Sequence, residues 1–214
     1  MFNFLSLTSM ESEFAILEGI LHYFHRVITQ PPMGFITITR KALLQPYPKW
    51  SQLAEPLNNV QILLNGRIED HDGALQADFA NAHIGGGVLR GGCAQEEIRF
   101  GIVSPEAIVS MLIIDGSMHD NEAVIIEGTE KFATYNGYGR SVKWDHEVID
   151  QSPRREDGSF QTRIVAIDSI MFPGESQYLP EMLERDLHKA YCGFSSSFPG
   201  DNAPVATGGW GCGV

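Results

Sequence analysis

The chain has 214 residues, 43% of them hydrophobic and 20% charged, the size and balance of an ordinary globular unit with a single core. Its 27 acidic residues outnumber 15 basic ones for a net charge of −12, which argues against a general nucleic-acid binder, since such a protein turns a basic face to the phosphates. Cys93, Cys192 and Cys212 are odd in number and form no CxxC pair, so neither a disulfide framework nor a structural zinc site is indicated, and a reducing compartment is expected.

The opening "MFNFLSLTSMESEF" lacks the basic start of a signal peptide, and no apolar run approaches the about 18–20 residues of a membrane span. From Glu11 to Gln30 the spacing predicts a helix. Phe14, Leu17, Leu21, Phe24 and Ile28 recur at three- and four-residue steps as one apolar stripe, and Pro31 and Pro32 stop it. His22 and His25 lie three apart on it, but no third ligand sits nearby, so they read as a packed or surface pair rather than a metal site. "FITIT" (Phe35–Thr39) and "VQILL" (Val60–Leu64) read as strands, the second turned by Asn65-Gly66. "GALQADFA" leads as a strand into "IGGGVLRGGCAQEEIRF", Ile84 to Phe100.

After these glycines, Ser104 and Pro105 suit the N-cap and first position of a helix. "EAVIIEG" and "RIVAIDS" are buried strands, Pro180 opens a helix through "LPEMLERDLHKAYCGF", and "APVATGG" is a last short strand. The polar stretch Asp150–Phe160, with Arg154 and Arg155, reads as a solvated loop. The order of elements favours an α/β or α+β fold over an all-β one. The chain closes on "TGGWGCGV", a loop of the kind that connects two elements, so a truncation at the C-terminus is expected.

Each glycine in a regular element costs about 0.5–1 kcal/mol relative to alanine, so five of them just before two adjacent glutamates need a reason. A phosphate loop is excluded, because Cys93 rather than lysine follows Gly87-x-x-x-x-Gly92. The dinucleotide fingerprint fails as well: Gly85 and Gly87 are correctly spaced, but Arg90 takes the last glycine position. With no GxSxG elbow, serine hydrolase chemistry has no anchor.

What remains is Asp78, Asn81, a triple glycine, and Gln95-Glu96-Glu97 after the gap Val88–Ala94. This block, "QADFANAHIGGGVLRGGCAQEEIRF", resembles the pattern of the poly(ADP-ribose) glycohydrolases. "GRIED", "GTEKFATYNGYG", "RIVAIDS", "LHKAYCGF" and "VATGGWGCG" match too, in the same order, over most of the chain. The resemblance implies an α/β (α+β) macrodomain-like mixed sheet flanked by helices, with residues 1–59 as an N-terminal helical accessory region and 60–214 as the core. It implies hydrolysis of the ribose–ribose bonds of poly(ADP-ribose), without cofactor or metal; a truncated, inactive relative that only binds ADP-ribose or the polymer is the alternative.

By the same resemblance, Glu97 is the acid that protonates the leaving 2′-oxygen and then the base that activates water. Glu96 holds ribose hydroxyls, and Asp78 belongs to the catalytic constellation. Asn81 and Gln95 bond sugar hydroxyls, Ile68 and Glu69 contact adenine, and Tyr138 packs on the ligand nearby. Gly85, Gly86 and Gly87 offer backbone N–H groups as a nest for the diphosphate. Gly209, Trp210, Gly211, Cys212, Gly213 and Val214 match the start of a second diphosphate loop, with Gly209 where the family has asparagine. The proximity of Glu96 to Glu97 should raise the proton affinity of the pair. The implied partners are poly(ADP-ribose) and ADP-ribosylated proteins in nucleus and cytoplasm, with neither direct DNA binding nor a membrane.

Overall fold

The computed structural model describes residues 11–56, 58–172, 174–195 and 202–212. Two β-branched, apolar stretches make the centre of the sheet: β3 (Glu122–Glu127) and β6 (Arg163–Asp168). Around them stand β1 (Thr37–Ala42), β2 (Leu75–Ala80) and β7 (Val205–Ala206), in the order β1-β3-β6-β2-β7. β2 runs parallel to β6 and β7, whereas β3 is antiparallel to both β1 and β6, so the sheet is mixed. A separate hairpin joins β4 (Ala133–Asn136) to β5 (Lys143–Glu147).

Alternation along the strands feeds two apolar layers. Val124, Ile126, Ile164, Ala166 and Ala80 pack on one side with Ile16, Ile98, Phe100 and Ile102. Ala77, Ala123, Val165 and Ile167 pack on the other with Cys192, which lies on the helix α4 (Pro180–Phe194). Asp78 lies two residues before Ala80 and so belongs to the first face.

The first helix, α1 (Glu11–Thr29), forms where expected but faces the other way. Its buried residues are Ser12, Ala15, Ile16 and Gly19, while Phe14, Leu21, Phe24 and Ile28 are 47–78% exposed. The cause is close packing. A Cβ on Gly19 would lie 2.3 Å from the Gly101 carbonyl oxygen, and one on Gly101 would lie 2.7 Å from Ile16. Only a stripe of small residues admits that approach. His22 tilts against Trp144, ring centroids 5.8 Å apart, and His25 lies on the open side of the same helix.

Three other expectations are corrected. Val60–Leu64 is no strand; Val60, Ile62 and Leu64 are 82–92% exposed and pair with nothing regular, and β-branched residues make a strand only against a partner. The strand expected at Phe35–Thr39 is displaced to Thr37–Ala42, where β3 supplies the ladder. Ser104 caps no helix through its side chain: its hydroxyl donates to the Glu130 carbonyl at 2.7 Å. A 3-10 turn (Pro105–Val109) and the one-turn helix α3 (Ser110–Ile113) follow instead of a continuous helix.

Because β1 is an edge strand of the same sheet, residues from the 1–59 stretch share the core of the 60–214 stretch. In the polar loop, Arg155 pairs with Glu127 at 2.7 Å and Arg154 lies over the Phe160 ring. Among the described residues no helix is long and apolar enough to cross a membrane.

Candidate active site

Gln95, Glu96 and Glu97 open the single-turn helix α2 (Gln95–Ile98), which widens at once into a π-helical turn, Arg99–Val103. Each of the three side chains reaches back to backbone. Glu96 Oε2 accepts from Asn81 N at 2.9 Å and Oε1 from Gly85 N at 2.5 Å. Glu97 Oε1 accepts from Gly87 N at 2.8 Å, and Oε2 from Ala94 N at 2.7 Å, the N-cap of its own helix. Gln95 spans Phe79 N and Ala77 O on β2.

The glycines now have their physical reason. A Cβ on Gly86 would lie 2.5 Å from Glu97 Oε1 and 2.7 Å from Glu96 Oε2, and one on Gly92 would lie 2.7 Å from Glu97 Cδ. Gly86 also holds φ +47°. Bare backbone is needed because two carboxylates press against it. This corrects the nest expected for a diphosphate. The N–H groups of Gly85 and Gly87 are bonded to the glutamates, and those of Gly86, Val88, Arg90 and Gly92 to carbonyls within the loop.

Asp78, Glu96 and Glu97 are all buried, Asp78 completely. Neither oxygen of Asp78 has a hydrogen-bond partner among the described residues. Burial pushes its carboxyl up to about 8; the Arg99 guanidinium opposes the rise and Glu97 adds to it. Glu96 is likewise raised well above the usual carboxylate range, by burial and by the Asp78 charge, against the two backbone bonds. A site with crowded, desolvated carboxyls holds a proton near neutral pH, which is what a general acid needs.

Behind this cluster the Arg99 side chain is 5% exposed, with Nε unpaired among the described residues. Glu69 and Asp78 both favour its charge, against burial. Glu69 is itself buried, burial together with the Glu69 charge pushes the Tyr135 hydroxyl up, and Oε1 of Glu69 has no partner among the described residues. Arg67 covers the Tyr135 ring, its guanidinium carbon 3.9 Å from the centroid. The site therefore has an acidic end at Asp78, Glu96 and Glu97 and, across Arg99, a second buried acceptor at Glu69.

The family model for poly(ADP-ribose) glycohydrolase, macrodomain fold, matches residues 47–214. The chain belongs to the poly(ADP-ribose) glycohydrolase family. Poly(ADP-ribose) glycohydrolase 1 of Arabidopsis thaliana is 38% identical over 196 residues, which cover 91% of this chain and 35% of that protein. Poly(ADP-ribose) glycohydrolase 2 of Caenorhabditis elegans is 36% identical over 218 residues, covering 92% and 44%. The worm's poly(ADP-ribose) glycohydrolase 1 is 33% identical over 232 residues, covering 100% and 29%. The chain thus spans well under two thirds of the curated relatives it matches.

Within this family member, Glu96 and Glu97 are bonded to the backbone of Asn81, Gly85 and Gly87 and pressed against Gly86, Gln95 is bonded to the strand that carries Asp78, and Asp78 itself stands beside them with neither oxygen bonded among the described residues. Asn81 Oδ1 accepts from His83 N, which leaves its amide nitrogen to donate outward. Gln95 is bonded at both ends of its amide, Oε1 to Phe79 N and Nε2 to Ala77 O. Ile68 and Glu69 form a 3-10 turn (Ile68–Asp70), the first half-buried and the second buried. Tyr138 stands 59% exposed after β4, bonded only locally to Ser141. Trp210 anchors the second glycine loop through Nε1 to Ile167 O at 3.1 Å, Gly211 approaches Ser169, and Gly209 and Cys212 are exposed. Gly213 and Val214 lie outside the described residues. Among those residues, no cluster of histidine, cysteine and carboxylate side chains could hold a metal ion. Arg99 and Tyr135 were not anticipated. The signal for Arg99 was a lone charge inside the apolar run "IRFGIV".

Proposed function

We propose that this chain hydrolyses the ribose–ribose O-glycosidic bonds of poly(ADP-ribose) and releases ADP-ribose. The single observation that carries the reading is the pair Glu96–Glu97 pinned by backbone N–H groups against bare glycines beside the desolvated Asp78. In this reading Glu97 gives its proton to the departing 2′-oxygen as the bond to the anomeric carbon breaks. It then takes a proton from water as the water oxygen bonds that carbon, which returns the carboxyl to its starting state. Burial and mutual repulsion raise the proton affinity of both Glu96 and Asp78, which favours a protonated carboxyl in this cluster for the first step. Asn81 donates to a ribose hydroxyl, and Glu69, with a free buried oxygen, accepts from the exocyclic amine of adenine.

Incubation of the purified chain with labelled polymer, followed by chromatography, should yield free ADP-ribose. Glu97→Gln should lower turnover by about 10²–10⁴-fold, the range of general acid–base help, while ADP-ribose affinity by calorimetry stays within a few-fold. The new amide nitrogen will face one backbone N–H, so a small loss of thermal stability is expected with it. Near-parent turnover by this variant would refute the assignment.

A further inference from the structure

The edge of β2 changes partner part-way along. β7 pairs only with Leu75 and Gln76, and Leu75 N donates to Pro204 O at 2.9 Å. In a parallel ladder alternate residues face the same neighbour, so Ala77 and Phe79 turn their backbone groups to the edge that Leu75 faces. β7 stops at Ala206, and Gly208 passes beside the Phe79 ring. Where the next peptide group of β7 would stand, the side-chain amide of Gln95 stands instead. Phe79 N donates to its Oε1 at 2.8 Å, and its Nε2 donates to Ala77 O at 3.1 Å. A planar primary amide offers one acceptor and one donor side by side, as a peptide group does.

We propose that Gln95 is a positioning residue whose side chain supplies the missing rung of the ladder. It fixes β2 on both sides of Asp78 to the helix that carries Glu96 and Glu97. Unpaired edge groups at Ala77 and Phe79 would leave this segment free to shift relative to the glutamates. The link to catalysis rests on the glycohydrolase reading; the clamp itself does not.

The experiment measures amide hydrogen exchange at Phe79 by NMR in the unliganded chain, alongside kcat and KM on polymer. The proteins are the parent, Gln95→Met and Gln95→Glu, each checked by thermal melt. Met removes both bonds at similar length, and Glu keeps the acceptor for Phe79 N. Loss of one backbone bond corresponds to about tenfold faster local exchange, expected at Phe79 in the Met variant and largely reversed in the Glu variant. The Met variant should lose about tenfold or more in kcat with KM within about threefold, because misplacement acts on the chemical step. Unchanged exchange at Phe79 in Gln95→Met would overturn the clamp whatever the activity. A tenfold rise in KM with kcat and exchange unchanged would overturn it in favour of a sugar contact. If even the parent leaves polymer intact, the glycohydrolase reading fails alone, and the exchange result still decides the clamp.

Discussion

Asp78 and Asp168 stand near the ends of two neighbouring parallel strands, both buried, and the chain treats them in opposite ways. Asp168 meets Arg185 Nη2 at 2.6 Å and Lys189 Nζ at 2.7 Å. Lys189 is fully buried and also donates to the carbonyls of His119 and Glu122. Burial pushes the Lys189 ammonium down, but Asp168 resists the shift; at Arg185, Asp168, Asp186 and Asp120 outweigh burial and push the guanidinium up. This cluster ties α4 to the sheet. Asp78, in contrast, has no bonded partner among the described residues, and the nearby Arg99 relieves only part of the cost of its burial. A compensated buried charge holds a fold together; a buried carboxyl without a bonded partner is instead pushed toward its uncharged form, the kind of perturbed group found at functional sites.

The contrast is broken most directly at Asp168. Asp168→Ala leaves a buried lysine without its counter-charge, and such a loss typically costs about 3–5 kcal/mol. A urea titration should register the fall in midpoint, and a fall below about 1 kcal/mol would mean that the carbonyl bonds of Lys189 suffice. Gly86→Ala tests the other region. The new Cβ collides with both glutamate carboxylates, so the atoms that must give way are those to which the proposed function gives the chemistry. Turnover should drop by about 100-fold, as it does for a misplacement of about 1 Å, with the far-ultraviolet circular dichroism spectrum retained.

Asp78→Asn should change stability with the reverse sign to Asp168→Ala, and only above about pH 4. A carboxyl whose folded pKa is about 8 against an unfolded 3.8 contributes stability that is intact below about pH 4 and is lost as pH rises toward 8. Asparagine carries no charge to desolvate. Its melting temperature relative to the parent should therefore be lowest at about pH 4 or below and climb steadily as pH rises to about 8.5, while turnover falls. A difference between the two proteins that stays constant over that range would show that Asp78 carries no such penalty.

How much of this was legible depended on distance along the chain. Gln95, Glu96 and Glu97 lie close in sequence to the glycines they press on, so the pattern of residues points to the contact. The use of each contact was not legible: the same glycines suit a diphosphate nest or a carboxylate cradle, and only the bond partners separate the two. The strand bonds of Gln95 were not legible because they depend on where β7 ends. In α1 the period was right and the face wrong, since Phe14, Leu17, Leu21 and Phe24 outweigh Ser12, Ala15 and Gly19 in hydrophobicity, although the small residues share the same repeat. Val60–Leu64 misled for the same reason: composition states what a segment could do, and pairing decides it. The strands β3 and β6 were plain because central strands buried on both faces read as continuous apolar runs.

The backbone contact between Gly19 and Gly101 carries a consequence for how the molecule is to be divided. Gly101 sits in the π-helical turn that continues directly from Glu96 and Glu97, and α1 rests on it through the Gly19 backbone with the Ile16 side chain packed alongside. That leaves no cushion to absorb a displacement. The first helix therefore serves as an anvil for the turn that follows Glu96 and Glu97, and a cut that separates residues 11–29 from the rest would take away the surface against which those two carboxylates are set.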